Sequence, residues 1–423
     1  MVSTMSRRRF LAYSGAAGIV AAGAGYGIDA LVSRARTDPL PAGSGVLVVL
    51  TLYGGNDGLN TVIPADDPVY RSARPELAYA EDQVLPLGDG LGLNPGLTGL
   101  KQLWDNSNLA IVRGVSYPQP DHSHFRSMDI WQTASPSSPQ STGWLGRWLD
   151  SHGRDPLHAV SLDPVLPPLL AGATTSGAAL PLTGLALPRG PLGKAFRALG
   201  APAAGESGQQ ATSARAITDL HRTATALGPA LGPALDHPHP AAQSTDLEPA
   251  AAPGAAKGRK GRKSGQLAHQ LDVVAACVEM GAPTRAYSVS IGGFDTHTGE
   301  RQTQQRLLTE VDQAVTRFLT RMAGSDRGKR VVLMAYSEFG RRVTANANQG
   351  TDHGTAGPMF VAGASVRGGF VGAQPSLTDL DNGDLKATTD FRDVYASLLT
   401  QVLDADPEPV LGPGRRVLPL VTT

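Results

Sequence analysis

The sequence predicts an α/β protein in which a mainly parallel sheet is sandwiched by helices. Two observations predict it. Apolar runs of strand length, rich in Val, Ile and Leu, alternate with segments whose apolar residues recur at helical spacing. Four of these runs also stop abruptly at clusters of Gly, acidic, amide or His residues. A buried parallel strand delivers polar groups to its carboxyl end in this way.

Composition narrows the possibilities. The 423 residues carry 37 basic and 37 acidic side chains, so global charge points to neither nucleic acid nor a polyanionic partner. The single cysteine, Cys277, excludes an intrachain disulfide and a thiolate-built metal site. Its apolar helical surroundings read as those of a buried structural thiol. The 50 glycines and 32 prolines imply many tight turns and at least one unstructured segment.

The chain opens on Ser6-Arg7-Arg8-Arg9-Phe10-Leu11, followed by a weakly apolar Ala/Gly run to about Ala30. Such a start reads as an export signal of the twin-arginine type, an address recognised by the export machinery. The alternative, a membrane anchor, is disfavoured by the Gly/Ala content from Gly15 to Gly25. Residues 1–40 are therefore expected to stand outside the fold, with one domain over 41–423.

The first strand is expected at Val46–Leu52, ending in Gly54-Gly55-Asn56-Asp57-Gly58-Leu59-Asn60. Asn-Asp-Gly is a good turn on its own, and it also places the Asp57 carboxylate at the strand exit. A second run, Leu109–Val115, leads into Asp121-His122-Ser123-His124-Phe125-Arg126 and a helix beginning near Ser123. The Ser123 hydroxyl is either an ordinary helix cap or a nucleophile whose developing charge faces the helix N-terminus. A short helix at Gly143–Leu149 and a strand at Ala159–Leu162 follow.

Over residues 203–265 the composition shifts to Ala, Pro, Gly and Ser and ends in a basic run, Lys257–Lys263. Too few large apolar residues lie here to offset the entropy of ordering, so a partly disordered insertion is expected, interrupted by a helix near Ala211–Leu227. Leu267, Leu271, Val274 and Val278 then mark one helical face, with Gly281 as its stop. The strand Ala286–Ile291 exits into Gly292-Gly293-Phe294-Asp295-Thr296-His297. A helix over Thr303–Met322 leads to the strand Arg330–Tyr336, which exits into Ser337-Glu338-Phe339-Gly340-Arg341-Arg342 and then Thr351-Asp352-His353-Gly354. One more strand at Pro358–Gly363 and a last helix capped by Asp390 complete the chain.

Asp57, Asp295, His297, Glu338, Asp352 and His353 form a set of carboxylates and imidazoles without thiolates. It suits one or two divalent ions among Zn²⁺, Mn²⁺, Mg²⁺ and Ca²⁺. Arg341 and Arg342 offer cationic partners for a phosphate or sulfate oxygen, or simple surface ion pairs.

Together, the Gly54–Asn60, Ser123–Arg126, Gly293–His297, Ser337–Arg341 and Thr351–Ala356 motifs resemble those of the bacterial domain-of-unknown-function family numbered 1501. That family in turn is similar to the alkaline phosphatase and sulfatase superfamily. The resemblance implies an alkaline-phosphatase-like fold with Asp57 as an acidic ligand, Ser123 as nucleophile, and Asp295 and His297 as a ligand pair. It also implies Glu338 and His353 as ligands, with Asp352 as ligand or neighbour. Phe339 departs from the pattern, standing where the superfamily places a histidine. The expected function is exported, metal-dependent hydrolysis of a small-molecule or glycan phosphate or sulfate ester, with Ser123 and Arg341 catalytic. The alternative is a non-catalytic exported metal- or glycan-binding protein; an acyl esterase ranks last, because no Gly-x-Ser-x-Gly elbow surrounds Ser123.

Overall fold

Buried apolar runs assemble into one mixed sheet of nine strands. The computed structural model describes residues 28–153, 155–180 and 265–422. The strands are β1 (Val46–Tyr53), β2 (Leu109–Ser116), β3 (Ala159–Ser161), β4 (Ala178–Ala179), β5 (Ala286–Gly292), β6 (Val331–Tyr336), β7 (Gly357–Ala362), β8 (Gly369–Val371) and β9 (Thr389–Asp390). Their order is β8-β2-β7-β6-β1-β5-β3-β4, with β9 also on β2. β1 pairs in parallel with both β5 and β6, Leu50 lying between Val289 and Ala335. Only β7 runs against its neighbours.

The expected strand at Pro358–Gly363 is thus present but reversed, and the reversal matters. Its amino end lies at the edge where the other strands have their carboxyl ends. The Thr351–Gly354 segment that leads into it therefore reaches the same edge as the loops leaving β1, β5 and β6.

Nine helices lie among the described residues: α1 (Ile28–Thr37), α2 (Pro68–Ala73), α3 (Thr98–Asp105), α4 (His124–Thr133), α5 (Trp144–Ser151), α6 (Gln266–Met280), α7 (Glu300–Ala323), α8 (Phe391–Gln401) and α9 (Glu408–Leu411). Alternation along β1 sorts all of them but α2, whose Tyr70 packs in a third cluster, into two layers. Val46, Val48, Leu50 and Leu52 pack with Leu100 of α3, Val274 of α6 and Val311 of α7. Leu47 and Val49 belong to the opposite core, with Trp131 of α4, Trp144 of α5 and Tyr395 of α8. Each large side chain removed from water contributes roughly 1.5–3 kcal/mol, which is why the runs between polar loops hold the layers together.

The helix starting at Asp390 is capped as expected, its carboxylate accepting from Arg392 N. α7 buries the expected Leu307, Val311, Val315 and Phe318. A helix also precedes the expected domain start at residue 41. α1 packs against the fold, with Leu31 fully buried and Arg34 bonded to Asp155. The twin-arginine stretch, the expected helix near Ala211–Leu227 and the basic run lie outside the described residues. No helix among the described residues is long and apolar enough to cross a membrane.

Candidate metal centre

The loops at the carboxyl edge approach one another closely because glycines allow it. Gly54 adopts φ +119°, and a Cβ there would lie 2.4 Å from Asp295 N. Gly55, at φ +70°, would drive a Cβ into the Phe339 ring. Only residues without side chains fit a backbone that turns this sharply against its neighbours.

Arg341 ties these loops together. Its side chain is fully buried. Nε donates to Gly55 O (2.6 Å), Nη1 to Thr351 O (2.8 Å), and Nη2 to Gly54 O, Phe294 O and Asp295 Oδ1 (2.9 Å). The expected role of Arg341 as a cation open to a substrate oxygen is corrected. Its donors are turned inward on the protein, so it positions the loops.

Around this hub, four side chains converge. His297 Nε2 and His353 Nε2 lie 3.0 and 3.2 Å from Asp295 Oδ1, and 3.0 Å from each other. His124 Nε2 lies 3.5 Å from Asp295 Oδ2. His124, Asp295 and His353 can each present one ligand atom with all three within 4.8 Å of one another.

Two of the imidazoles are held by hydrogen bonds at the far nitrogen. His124 Nδ1 donates to Glu338 Oε1 (2.9 Å), and His353 Nδ1 donates to His122 O (2.8 Å). His297 Nδ1 lies 3.5 Å from Asp352 Oδ1. A proton fixed on Nδ1 leaves the Nε2 lone pair facing inward, the usual support of a metal-binding histidine. His124 Nε2 is buried with no hydrogen-bond partner among the described residues, an unpaired polar atom that a cation would satisfy.

The electrostatics fit the same picture. The Glu338 hydrogen bond raises the His124 pKa above its usual value, outweighing burial. Burial pushes Glu338 up, but His124 and the backbone N–H groups of Gly54 and Gly55 hold it below the usual carboxylate range. Burial first, then the Arg341 and His124 charges, lower His353 despite its bonds to Asp295 and His122 O. Arg341 and His353 likewise hold Asp295 ionised against its partial burial.

The expected residues therefore separate. Asp295, His297 and His353 meet in the cluster. Glu338, reaching it only through His124, and Asp352, lying behind His297, support imidazoles from outside rather than converging with them. Asp57 is elsewhere: fully buried, it bonds Arg74, with Leu59 N on its other oxygen, so its carboxylate is already committed. Ser123 sits at the N-cap of α4, but its hydroxyl makes no capping bond; its backbone N–H donates to Asp121 instead. It is exposed, between His122 and His124, at the rim of the cluster.

His124 was not among the expected ligands: two histidines flank Ser123 just before a helix, and sequence alone does not say which imidazole turns inward. Phe339 is buried at the centre, its ring 4.9 Å from that of His124 and 4.6 Å from that of His353.

Fold and site define an α/β protein that gathers three histidines and an aspartate at the carboxyl edge of its sheet. The chain belongs to the protein family of unknown function DUF1501, whose model matches residues 45–412. No curated protein matches it. Among solved structures, it is similar to a protein in the alkaline phosphatase superfamily from Vibrio parahaemolyticus (9% identity, TM-score 0.41, covering 90% of this chain and 76% of that one). It is also similar to a phosphonate monoester hydrolase from Silicibacter pomeroyi (13% identity, TM-score 0.34, 88% and 77% covered). At these scores the likenesses carry no functional weight, and the site's own geometry must do so.

Proposed function

We propose that this protein is an exported metal-dependent hydrolase of phosphate or sulfate esters. The observation that carries the reading is the approach of His124, His297 and His353 through Nε2 to the Asp295 carboxylate, with His124 Nε2 buried and making no hydrogen bond among the described residues. The two imidazoles and one carboxylate of His124, His353 and Asp295, with His297 at the edge of the group, match Zn²⁺ or Mn²⁺ better than Ca²⁺ or Mg²⁺, which prefer oxygen donors. Since Asp57 is committed to Arg74, one ion is the expected complement. When bound, the ion supplies Lewis-acid polarisation of the ester and a lowered pKa for an attacking hydroxyl or water.

The chain's own residues supply the rest. Ser123 is the proposed nucleophile: its hydroxyl is free of a capping bond and stands at a helix N-terminus, where backbone N–H groups favour developing negative charge. Glu338 holds the Nδ1 proton of His124, and Arg341 locks the loop backbone so that Asp295 and the imidazoles keep their spacing. The Arg7-Arg8 leader supports the export part of the reading.

The test is a metal assay and an ester panel on the same purified protein. Close to one Zn²⁺ or Mn²⁺ per chain is expected, with turnover of an aryl phosphate or aryl sulfate that falls by at least 10²-fold in Ser123→Ala, the scale of nucleophile loss. A chain without metal and without turnover contradicts the proposal. One observation favours the non-catalytic reading: Arg341, the expected substrate cation, is fully used by the protein. Stoichiometric metal and glycan binding without turnover of any ester would select that reading.

A further inference from the structure

We propose that Arg342, held beside His122 by Asp384, receives the tetrahedral oxyanion of the substrate. This inference rests on the hydrolase reading; of the two arginines first expected to meet a phosphate or sulfate oxygen, it leaves that role to Arg342 and adds the carboxylate that holds it.

The backbone explains why the two neighbouring arginines differ. Arg341 forms an antiparallel bridge with His353, and Arg342 N donates to Asp352 O. Successive side chains on an extended segment point to opposite sides. Arg341 therefore enters the core, whereas the Arg342 side chain is 43% exposed. The Arg342 side chain makes no hydrogen bond among the described residues. Its ionic partner is Asp384, with Nε 3.5 Å from Oδ1.

Asp384 is unusual for a carboxylate in a mostly exposed segment. It belongs to a two-stranded ribbon, Leu380–Asp381 against Asp384–Leu385, and only 3% of it is exposed. Its Oδ2 lies 2.8 Å from His122 Nε2, while Oδ1 is buried without a hydrogen-bond partner among the described residues. An acid left in that state is costly unless it holds cations in place. The group it holds adjoins the metal centre directly, because His122 O is the acceptor that fixes His353 Nδ1. Arg342 thus offers a guanidinium fork, the donor that suits a phosphate or sulfate group, while His122 Nε2 is held by Asp384.

The experiment titrates inorganic phosphate, and in a separate arm inorganic sulfate, into the zinc-supplemented full-length protein by calorimetry. Wild type is expected to bind at least one of them. Arg342→Ala should weaken that binding by 10-fold or more, Asp384→Asn by a smaller factor, and Arg342→Lys should recover part of the loss. Metal content should stay at the wild-type value in all three, because none of these residues points into the cluster. Binding confined to phosphate assigns a phosphate ester, and binding confined to sulfate a sulfate ester. Wild-type affinity for both anions in Arg342→Ala, or no binding by wild type, overturns the inference. Wild type lacking metal contradicts the proposed function instead, and the same titrations then still decide the role of Arg342.

Discussion

Asp57 shows how a buried side chain is spoken for by its neighbours. Arg74 bonds its carboxylate and also donates to the carbonyls of Arg342 and Val343, so the pair anchors the chain that leads to His353. Both side chains are fully buried. Arg74→Met leaves the Asp57 charge without its partner and is expected to cost about 3–5 kcal/mol, read as a lower denaturation midpoint in urea. Retention of wild-type stability would show that Asp57 is paired otherwise. The sequence could place Asp57 at a strand exit but not foresee its partner, because Arg74 lies in a segment with no apolar period to announce α2. For the same reason Glu338 was expected to ligate, when its distance to His124 makes it a support. Glu338→Gln is expected to reduce metal affinity 10- to 100-fold while leaving the fold intact, measured by competition with a chromogenic chelator. Unchanged affinity would mean that the His124 orientation does not depend on it.

At the scale of elements, the predicted class held because apolar runs and helical periodicity are dictated by burial on two faces. β1, β5 and β6 were legible as runs of Val, Ile, Leu and Ala, and α7 and α8 through their spacing. The direction of β7 was not legible, since a buried strand reads the same in either orientation and only its partners fix it. Nor were β8, β9 and the Asp384 ribbon, whose strands are two or three residues long and carry no period. The loops are constrained more by backbone proximity than by side chains. Gly54→Ala is expected to lower the melting temperature by several degrees and to weaken metal binding, because its φ and its approach to Asp295 N exclude a Cβ. A variant with both properties unchanged would show that the β1 and β5 loops can separate without loss.

Across the whole molecule, two buried acids set opposite pH dependences. Burial and the Asp57 charge push Glu300 up to about 9 from an ordinary value of 4.5. The native state therefore retains a proton that the unfolded chain releases, so this group's stabilisation is full below pH 4.5 and lost as pH rises towards about 9. Asp57 is pushed up by burial but held below its ordinary value of 3.8 by Arg74, so its contribution is present above that value and lost on further acidification. Glu300→Gln should flatten the alkaline decline in chemical-denaturation stability between pH 5 and about 9 without altering the acid limb. An unchanged alkaline limb would place the titration elsewhere.

Whether the histidine cluster at the carboxyl edge holds a metal ion is read from metal content, measured by X-ray fluorescence or plasma mass spectrometry. Wild type should carry close to one Zn²⁺ or Mn²⁺ per chain, and a His124→Ala/His353→Ala double variant, folded by circular dichroism, should carry none. Equal metal content in the two proteins, or none in wild type after zinc and manganese supplementation, would contradict the account.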